Sequence, residues 1–202
     1  MDGVNSLVRR VPPLAVYLAG LLPLGWIVWL AASGGLGADP VKAIELRLGE
    51  LGLQFLIATL AVTPLRWAGL NLIRFRRALG LLSFFYVVLH LLAWVTLDMG
   101  LRWDEMARDL VKRWYIIVGM AGFAAMLPLA LTSNDLSLRR LGPVAWRRLH
   151  RLTYAAGVAG VVHVLLIVKV VEVEQLLYAA AVGGLLLARF LRARLRAVAQ
   201  AA

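Results

Sequence analysis

Three histidines are the side chains in this sequence most suited to binding a metal inside an apolar environment. His90 and His163 each lie in a long apolar run, and His150 lies at the arginine-rich start of the second run. Imidazole is costly to place in lipid, so such groups usually face the interior of a helix bundle and have a function. Imidazole is also a common axial ligand of haem iron. The pattern indicates haem ligation, and a purely structural hydrogen-bonding role is the alternative.

The composition restricts the kinds of haem and the kinds of partner. The chain has no cysteine, which excludes disulfides, thiolate-ligated haem, cysteine-bound iron–sulfur clusters and covalently attached c-type haem. Of 202 residues, 62% are hydrophobic, and the mean hydropathy is +0.82. A soluble domain could not cover that much apolar surface, so the lipid bilayer is the solvent. The net charge of +11 is divided among short clusters between apolar runs, which argues against nucleic-acid binding.

Six apolar runs predict membrane-spanning helices. The predicted spans cover residues 11–32, 50–65, 79–97, 115–131, 147–169 and 175–190. We expect the first span to be an uncleaved helix, because its apolar run is longer than that of a typical signal peptide. Residues 34–47, which contain G-G-L-G and A-D-P, are predicted to form a loop. The sequence thus predicts an all-α polytopic membrane helix bundle, with residues 1–202 forming a single domain.

Charged residues divide unevenly between the two sides of this bundle. One side carries fifteen lysines and arginines against two acids, a net charge of +13, and includes both termini. The other side carries seven against nine, a net charge of −2. Because an excess of lysine and arginine marks the cytoplasmic side, both termini are predicted to be cytoplasmic.

This topology places the histidines at two depths. His163 follows His150 by thirteen residues, a rise of about 20 Å, and His90 follows Arg76 by fourteen residues, about 21 Å. Both helices run outward, so His90 and His163 should meet near the outer leaflet and could hold one haem iron between them. His150 and Arg76 should lie near the inner leaflet. Arg76 could contact a second haem there, or could act only as a cation that sets the topology.

One angle does not fit a straight helix. Thirteen residues separate His150 and His163 by about 220° around an ideal α-helix. Two explanations remain open. Either His150 precedes the regular helix, or the helix bends near Gly157 and Gly160.

Several segments resemble a known family: R-F-R-R-A-L-G-L-L-S-F-F-Y-V-V-L-H, P-L-A-L-T-S-N and W-R-R-L-H-R-L-T-Y, with T-P-L-R and K-R-W-Y-I-I-V-G. Over nearly its whole length the chain resembles the haem-binding membrane subunits of bacterial MsrPQ methionine sulfoxide reductase systems, which are related to ferric reductase and NADPH oxidase transmembrane domains. In those relatives, four histidines hold two stacked haems. Here Arg76 stands at the inner position, so the resemblance implies an outer haem on His90 and His163. It leaves open a second haem on His150 and a non-histidine partner.

The resemblance also implies a function. It implies haem b, FMN, and an electron-transfer subunit rather than a catalytic one. Electrons would come from quinone or a cytoplasmic flavin reductase, cross the bacterial inner membrane, and reach a periplasmic MsrP-type molybdopterin reductase. The residues alone support an electron path without a nucleotide-binding motif or a dehydrogenase domain.

Two other functions remain as alternatives. The chain could itself be an oxidoreductase of ferric iron, superoxide or quinone, although its short outer loops offer little for a substrate site. It could also be a non-redox transporter or assembly factor with structural histidines. Transporters tend to have paired broken helices, and the sequence shows no such pair.

Overall fold

The structure, a computed structural model, describes residues 2–201 as a bundle of helices, with no strand in that range. Its nine α-helices are α1 Asp2–Arg10, α2 Pro13–Ala32, α3 Pro40–Trp67, α4 Arg76–Ala93, α5 Trp103–Lys112, α6 Trp114–Leu131, α7 Asp135–Leu149, α8 Leu152–Ile167 and α9 Val173–Ala201. Five of the helices are long and apolar enough to cross a membrane, and counting the bent pair of α7 and α8 as one span gives six. The predicted all-α polytopic membrane bundle is confirmed.

The start of α3 corrects one prediction. The helix begins at Pro40 and therefore includes the last part of the predicted loop 34–47. The side chain of Asp39 caps the helix by accepting a hydrogen bond of 2.9 Å from the Lys42 amide. Proline is well suited to the first helical position, where its missing N–H has no intrahelical partner in any case. A-D-P, which was interpreted as a loop signal, is therefore the N-terminal cap of a long helix.

Helix α9 is also longer than its predicted span of 175–190, and an arginine ties it to α3. Pro64 has no N–H, so the carbonyl of Leu60, one turn earlier in α3, lacks its usual intrahelical donor. The guanidinium of Arg189 donates to this carbonyl and also to the carbonyl of Leu185, at 3.0 Å. This one side chain thus compensates for the proline and joins the two helices.

The short helix α1 lies in a segment for which no helix was predicted. Its Asn5 donates to the carbonyl of Gly69 (2.8 Å) and accepts from the amide of Asn71 (3.0 Å). Arg74 donates to the carbonyl of Arg9, at the last turn of α1. Helix α1 is therefore held against the loop between α3 and α4.

Two further contacts join basic segments at that same end of the bundle. Arg77 and Asp135 form an ion pair of 2.5 Å, and the guanidinium of Arg192 lies 4.5 Å from the ring centre of Trp67. The sequence assigns all these segments to the cytoplasmic side. Their clustering shows that they share one end, and the orientation of that end in the membrane stays a prediction.

Two helix pairs, α3 with α4 and α6 with α8, make the most extensive contacts in the bundle. In the first pair, the hydroxyl of Ser83 donates to the carbonyl of Gly52 at 2.7 Å. The hydroxyl of Tyr86 donates to the carbonyl of Gly20 in α2 at 2.6 Å. Both side chains are fully buried. Such small residues and hydroxyl bonds are the usual means of close helix packing in lipid.

Candidate functional site

The structure brings two of the three histidines together. His90 lies on α4 and His163 on α8, and their ring centres are 6.2 Å apart with the ring planes at 81°. Both line one cavity of about 430 Å³ at the end of the bundle where α3, α6 and α9 begin. This cavity is called the outer cavity, after the side predicted for that end. The prediction that these two residues meet is confirmed by this distance. A cavity of this size is within the range of about 300–1,000 Å³ that is usual for ligand and cofactor sites.

Hydrogen bonds fix which nitrogen of each imidazole is free. Nδ1 of His90 lies 2.9 Å from the carbonyl oxygen of Glu45, and Nδ1 of His163 lies 2.6 Å from that of Tyr115. A carbonyl oxygen only accepts hydrogen bonds, so each Nδ1 must carry the proton. The lone pair of each neutral ring is then on Nε2. Donation from one ring nitrogen to a backbone carbonyl is the arrangement that orients metal-binding histidines.

Glycines make room for both imidazoles. A Cβ atom at Gly49 would lie 3.1 Å from Nδ1 of His90, and one at Gly119 would lie 2.8 Å from Nδ1 and Cε1 of His163. Real Cβ atoms essentially never approach another heavy atom within 3.0 Å. The rings therefore lie directly against the backbone of the neighbouring helices, which is possible because these positions lack side chains.

The spacing of the rings fits an iron between them. An imidazole nitrogen binds a first-row transition metal at about 2 Å, and the nitrogen lies about 1 Å from its ring centre. Two such ligands on opposite sides of one metal place the ring centres about 6 Å apart, which agrees with the observed 6.2 Å. The residues present therefore fit a haem group that His90 and His163 would hold.

The mouth of this cavity is charged, while its interior is mainly apolar. Lys42 forms an ion pair of 2.9 Å with Glu45, whose side chain is almost completely buried. Arg113 pairs with Asp109 at 3.1 Å and donates to the hydroxyl of Tyr115 at 2.8 Å. Lys42 and Arg113 both line the mouth. This arrangement suits a flat amphiphilic group with a charged edge facing outward.

His150 and Arg76 line a second cavity, of about 300 Å³, nearer the basic end of the bundle. This cavity is called the inner cavity, after the side predicted for that end. Leu56 and Met126 line both cavities and so lie between them. The structure thus brings together the two inner candidate residues, as their predicted depths required. The inner cavity offers one histidine where the outer cavity offers two.

The surroundings of His150 differ from those of the outer pair. Its Nε2 lies 3.1 Å from the hydroxyl of Thr132, and the Trp146 ring stacks on it at 3.7 Å between centres. Trp146 in turn donates from Nε1 to the carbonyl of Thr132 at 2.9 Å. In His90 and His163 the hydrogen-bonded nitrogen is Nδ1, whereas in His150 it is Nε2.

His150 also explains the angle that a straight helix could not accommodate. It follows the last residue of α7, Leu149, and α8 begins only at Leu152. The two helices meet at an angle of 42°. Of the two explanations left open by the sequence, the first is correct, because His150 precedes the regular helix that carries His163.

Sequence reasoning found the three histidines and Arg76 but missed the groups that orient them. The Glu45 and Tyr115 carbonyls are backbone atoms and have no signature in the side-chain sequence. The glycines did leave a signal. Gly49 and Gly52 lie three residues apart, as do Gly119 and Gly122, and small residues on one helix face are typical of close helix approach.

Comparisons with known proteins show the family to which the chain is similar. The family model described as "Ferric reductase like transmembrane component" matches residues 46–161. The chain is 47% identical over 182 residues to "Protein-methionine-sulfoxide reductase heme-binding subunit MsrQ" of Brucella ovis, and equally so to the proteins of that name in Brucella canis and Brucella suis. These alignments cover 90% of this chain and 82% of each relative. No solved structure matches the chain.

Proposed function

We propose that this chain is a haem-binding electron-transfer subunit. It belongs to the ferric reductase like transmembrane component family and, within that family, to the group of MsrQ subunits. In this proposal, His90 and His163 are the axial ligands of one haem b in the outer cavity. The chain passes electrons across the inner membrane to a periplasmic MsrP-type molybdopterin reductase, which acts on oxidised methionine residues.

One observation carries the proposal. Two imidazoles on different helices line one cavity, with ring centres 6.2 Å apart and with each Nδ1 donating to a backbone carbonyl. A histidine with a merely structural role would not need its partner ring at this distance. The names of the relatives, which include haem binding, support the same assignment.

Each residue has a defined task in this site. A bound haem supplies an iron centre that takes up and releases single electrons without substrate chemistry. His90 and His163 hold it from helices α4 and α8, so both helix pairs contribute to the site. The carbonyls of Glu45 and Tyr115 fix the tautomers and increase the basicity of the coordinating nitrogens. The apolar wall around the rings limits the access of water to the site.

The inner cavity forms a second part of the proposal. His150 would be the ligand of a second haem there, with Arg76 as a cation at its edge. Coordination through Nε2 would require His150 to give up its contact with Thr132. The outer site needs no such rearrangement, so we propose that it binds haem more readily than the inner one.

The positions of the two cavities are consistent with the direction of electron flow that we propose. The inner cavity lies near the basic end, which the charge distribution predicts to be cytoplasmic. The outer cavity opens at the opposite end, beside Lys42 and Arg113. We propose that electrons enter from quinone or from a cytoplasmic flavin reductase and leave through the outer site. FMN, which the family resemblance implies, would belong to the entry side of this path.

A reduced-minus-oxidised spectrum of the purified chain tests the ligands. We expect a b-type α band, and we expect its loss, or a large fall in haem content, in His90→Ala and in His163→Ala. Leu92→Ala and Leu166→Ala are matched controls on the same helices, because both leucines are about half exposed on the outside of the bundle. These controls should keep the full haem content. Full haem content in both histidine variants would show that the ligand assignment is wrong.

The same preparation separates the alternative functions. A haem-free chain that still supports growth would favour a transporter or assembly factor. Reduction of ferric chelates by the isolated chain, at the rate of electron input, would favour a stand-alone oxidoreductase. If the chain releases its electrons only when the periplasmic reductase is present, the result supports the proposal.

A further inference from the structure

We propose that Gly49 and Gly119 are positioning residues that hold the two axial imidazoles nearly perpendicular to each other. The inference rests on the proposed function, because it assumes that His90 and His163 bind the same iron. It adds a property of that site which ligand identity alone does not determine, namely the relative orientation of the two ring planes.

The two halves of the site are built in the same way. On α3, the carbonyl of Glu45 accepts from His90, and Gly49 follows four residues later. On α6, the carbonyl of Tyr115 accepts from His163, and Gly119 also follows four residues later. Four residues are about one helical turn, so each carbonyl and its glycine lie one above the other on the same helix face. Each imidazole therefore meets the same backbone surface.

Together these contacts restrict the rotation of each ring. The hydrogen bond at Nδ1 fixes one edge of the imidazole to a rigid helix. The glycine backbone lies so close that an added Cβ would be 3.1 Å from the ring atoms of His90 and 2.8 Å from those of His163. A ring that turned about its Cβ–Cγ bond would lose the hydrogen bond. The observed angle of 81° between the planes is thus fixed by the two helix pairs.

This angle has a spectroscopic consequence. An axial imidazole donates π electrons mainly into the iron d orbital perpendicular to its own plane. With parallel rings one d orbital is raised above the other, and the oxidised low-spin iron gives a rhombic, three-line EPR signal. With perpendicular rings the two orbitals stay close in energy, and the signal becomes strongly anisotropic, with a single dominant feature at high g.

The experiment is low-temperature EPR of the oxidised, haem-loaded full chain. It is carried out in the His150→Ala background, so that a haem in the inner cavity does not contribute a signal. We expect the single high-g signal of perpendicular rings. Substituting Gly119→Ala should move the signal to lower g, towards the rhombic type. Gly49→Ala should shift it less, because its added Cβ would meet the ring at a longer distance.

Two control substitutions separate ring orientation from general packing. Gly157 lies on the same helix as His163 but does not line the outer cavity. A Cβ at Gly157 would meet Leu60 at 3.2 Å and Val182 at 3.5 Å, so Gly157→Ala disturbs the packing of α8 without touching the imidazole. A Cβ at Gly183 would meet nothing within 4 Å. Both variants should keep the high-g signal. If Gly157→Ala shifts the signal as much as Gly119→Ala, general helix packing sets the angle and the proposal is wrong.

The outcomes also distinguish this inference from the proposed function. Absence of haem from the parent chain would overturn the proposed function itself. Haem with a rhombic signal in the parent chain would leave the ligands in place and refute the perpendicular orientation. If Gly119→Ala binds no haem, the milder Gly49→Ala decides, and an unchanged signal in that variant refutes the role of the glycines.

Discussion

Replacing Arg189 with methionine removes the donor that serves the carbonyl of Leu60. That carbonyl has no intrahelical donor, because the residue one turn later is Pro64. The loss should therefore destabilise the contact between α9 and α3. Methionine keeps much of the length of the side chain and places no charge in the membrane. The change in the free energy of unfolding therefore contains two contributions: the lost hydrogen bond and the removed cost of holding a guanidinium in lipid.

The expected magnitude follows from the two opposing effects. A backbone acceptor left without a donor costs about 1–3 kcal/mol. Removing an arginine from the centre of a membrane helix gains about 2.5–3.5 kcal/mol on insertion scales, and less for a residue near the interface. The single variant therefore does not isolate the hydrogen bond. A double-mutant cycle with Pro64→Ala does, because alanine restores an N–H for the carbonyl of Leu60.

In this cycle, Arg189→Met should be more destabilising in the parent chain than in the P64A background. We expect the difference to be about 1–2 kcal/mol, close to the penalty of one unsatisfied carbonyl. The measurement is the free energy of unfolding in mixed micelles with increasing SDS, followed by circular dichroism. An equal effect of Arg189→Met in both backgrounds would refute the compensation of Pro64 by Arg189.

Two further predictions concern hydrogen bonds that fix helix positions. Asp39→Ala should destabilise the start of α3 by about 1 kcal/mol, since it removes the N-terminal cap. Asp39→Asn should retain most of the stability. SDS unfolding of the parent chain and of both variants measures the difference. Tyr86→Phe should cost about 0.5–1.5 kcal/mol, since the buried hydrogen bond from the Tyr86 hydroxyl to the carbonyl of Gly20 is lost. Tyr17→Phe is its control, because no hydrogen bond of the Tyr17 hydroxyl is seen within residues 2–201, and equal losses in the two variants would argue against the Tyr86 bond.

Hydropathy predicted the presence of the spans better than their ends. The apolar runs locate the membrane segments because lipid tolerates few charges. The ends are set by capping and by packing outside the apolar core, which hydropathy does not report. Helix α3 thus begins at Pro40 instead of residue 50, and α9 extends to Ala201 instead of residue 190. Helices α1 and α5 and most of α7 lie outside the predicted spans, because these segments are rich in charged residues and hydropathy does not detect them.

The candidate site shows a similar division. Residue type and spacing predicted that His90 and His163 would meet, since equal rises along two helices of the same direction give equal depth. The same argument placed His150 and Arg76 together. It could not predict that Trp146 and the hydroxyl of Thr132 would contact His150, because these contacts depend on the break between α7 and α8.

The amino-acid sequence by itself determined that the chain lies in a lipid bilayer, how many apolar runs it has and how its charges are distributed, because each depends on composition along the chain. It also determined the depth of the histidines, because an α-helix has a constant rise. Only the tertiary structure decided the free nitrogen and the orientation of each imidazole. Both depend on backbone carbonyls and glycines of neighbouring helices, and their approach is a property of packing that no single segment contains.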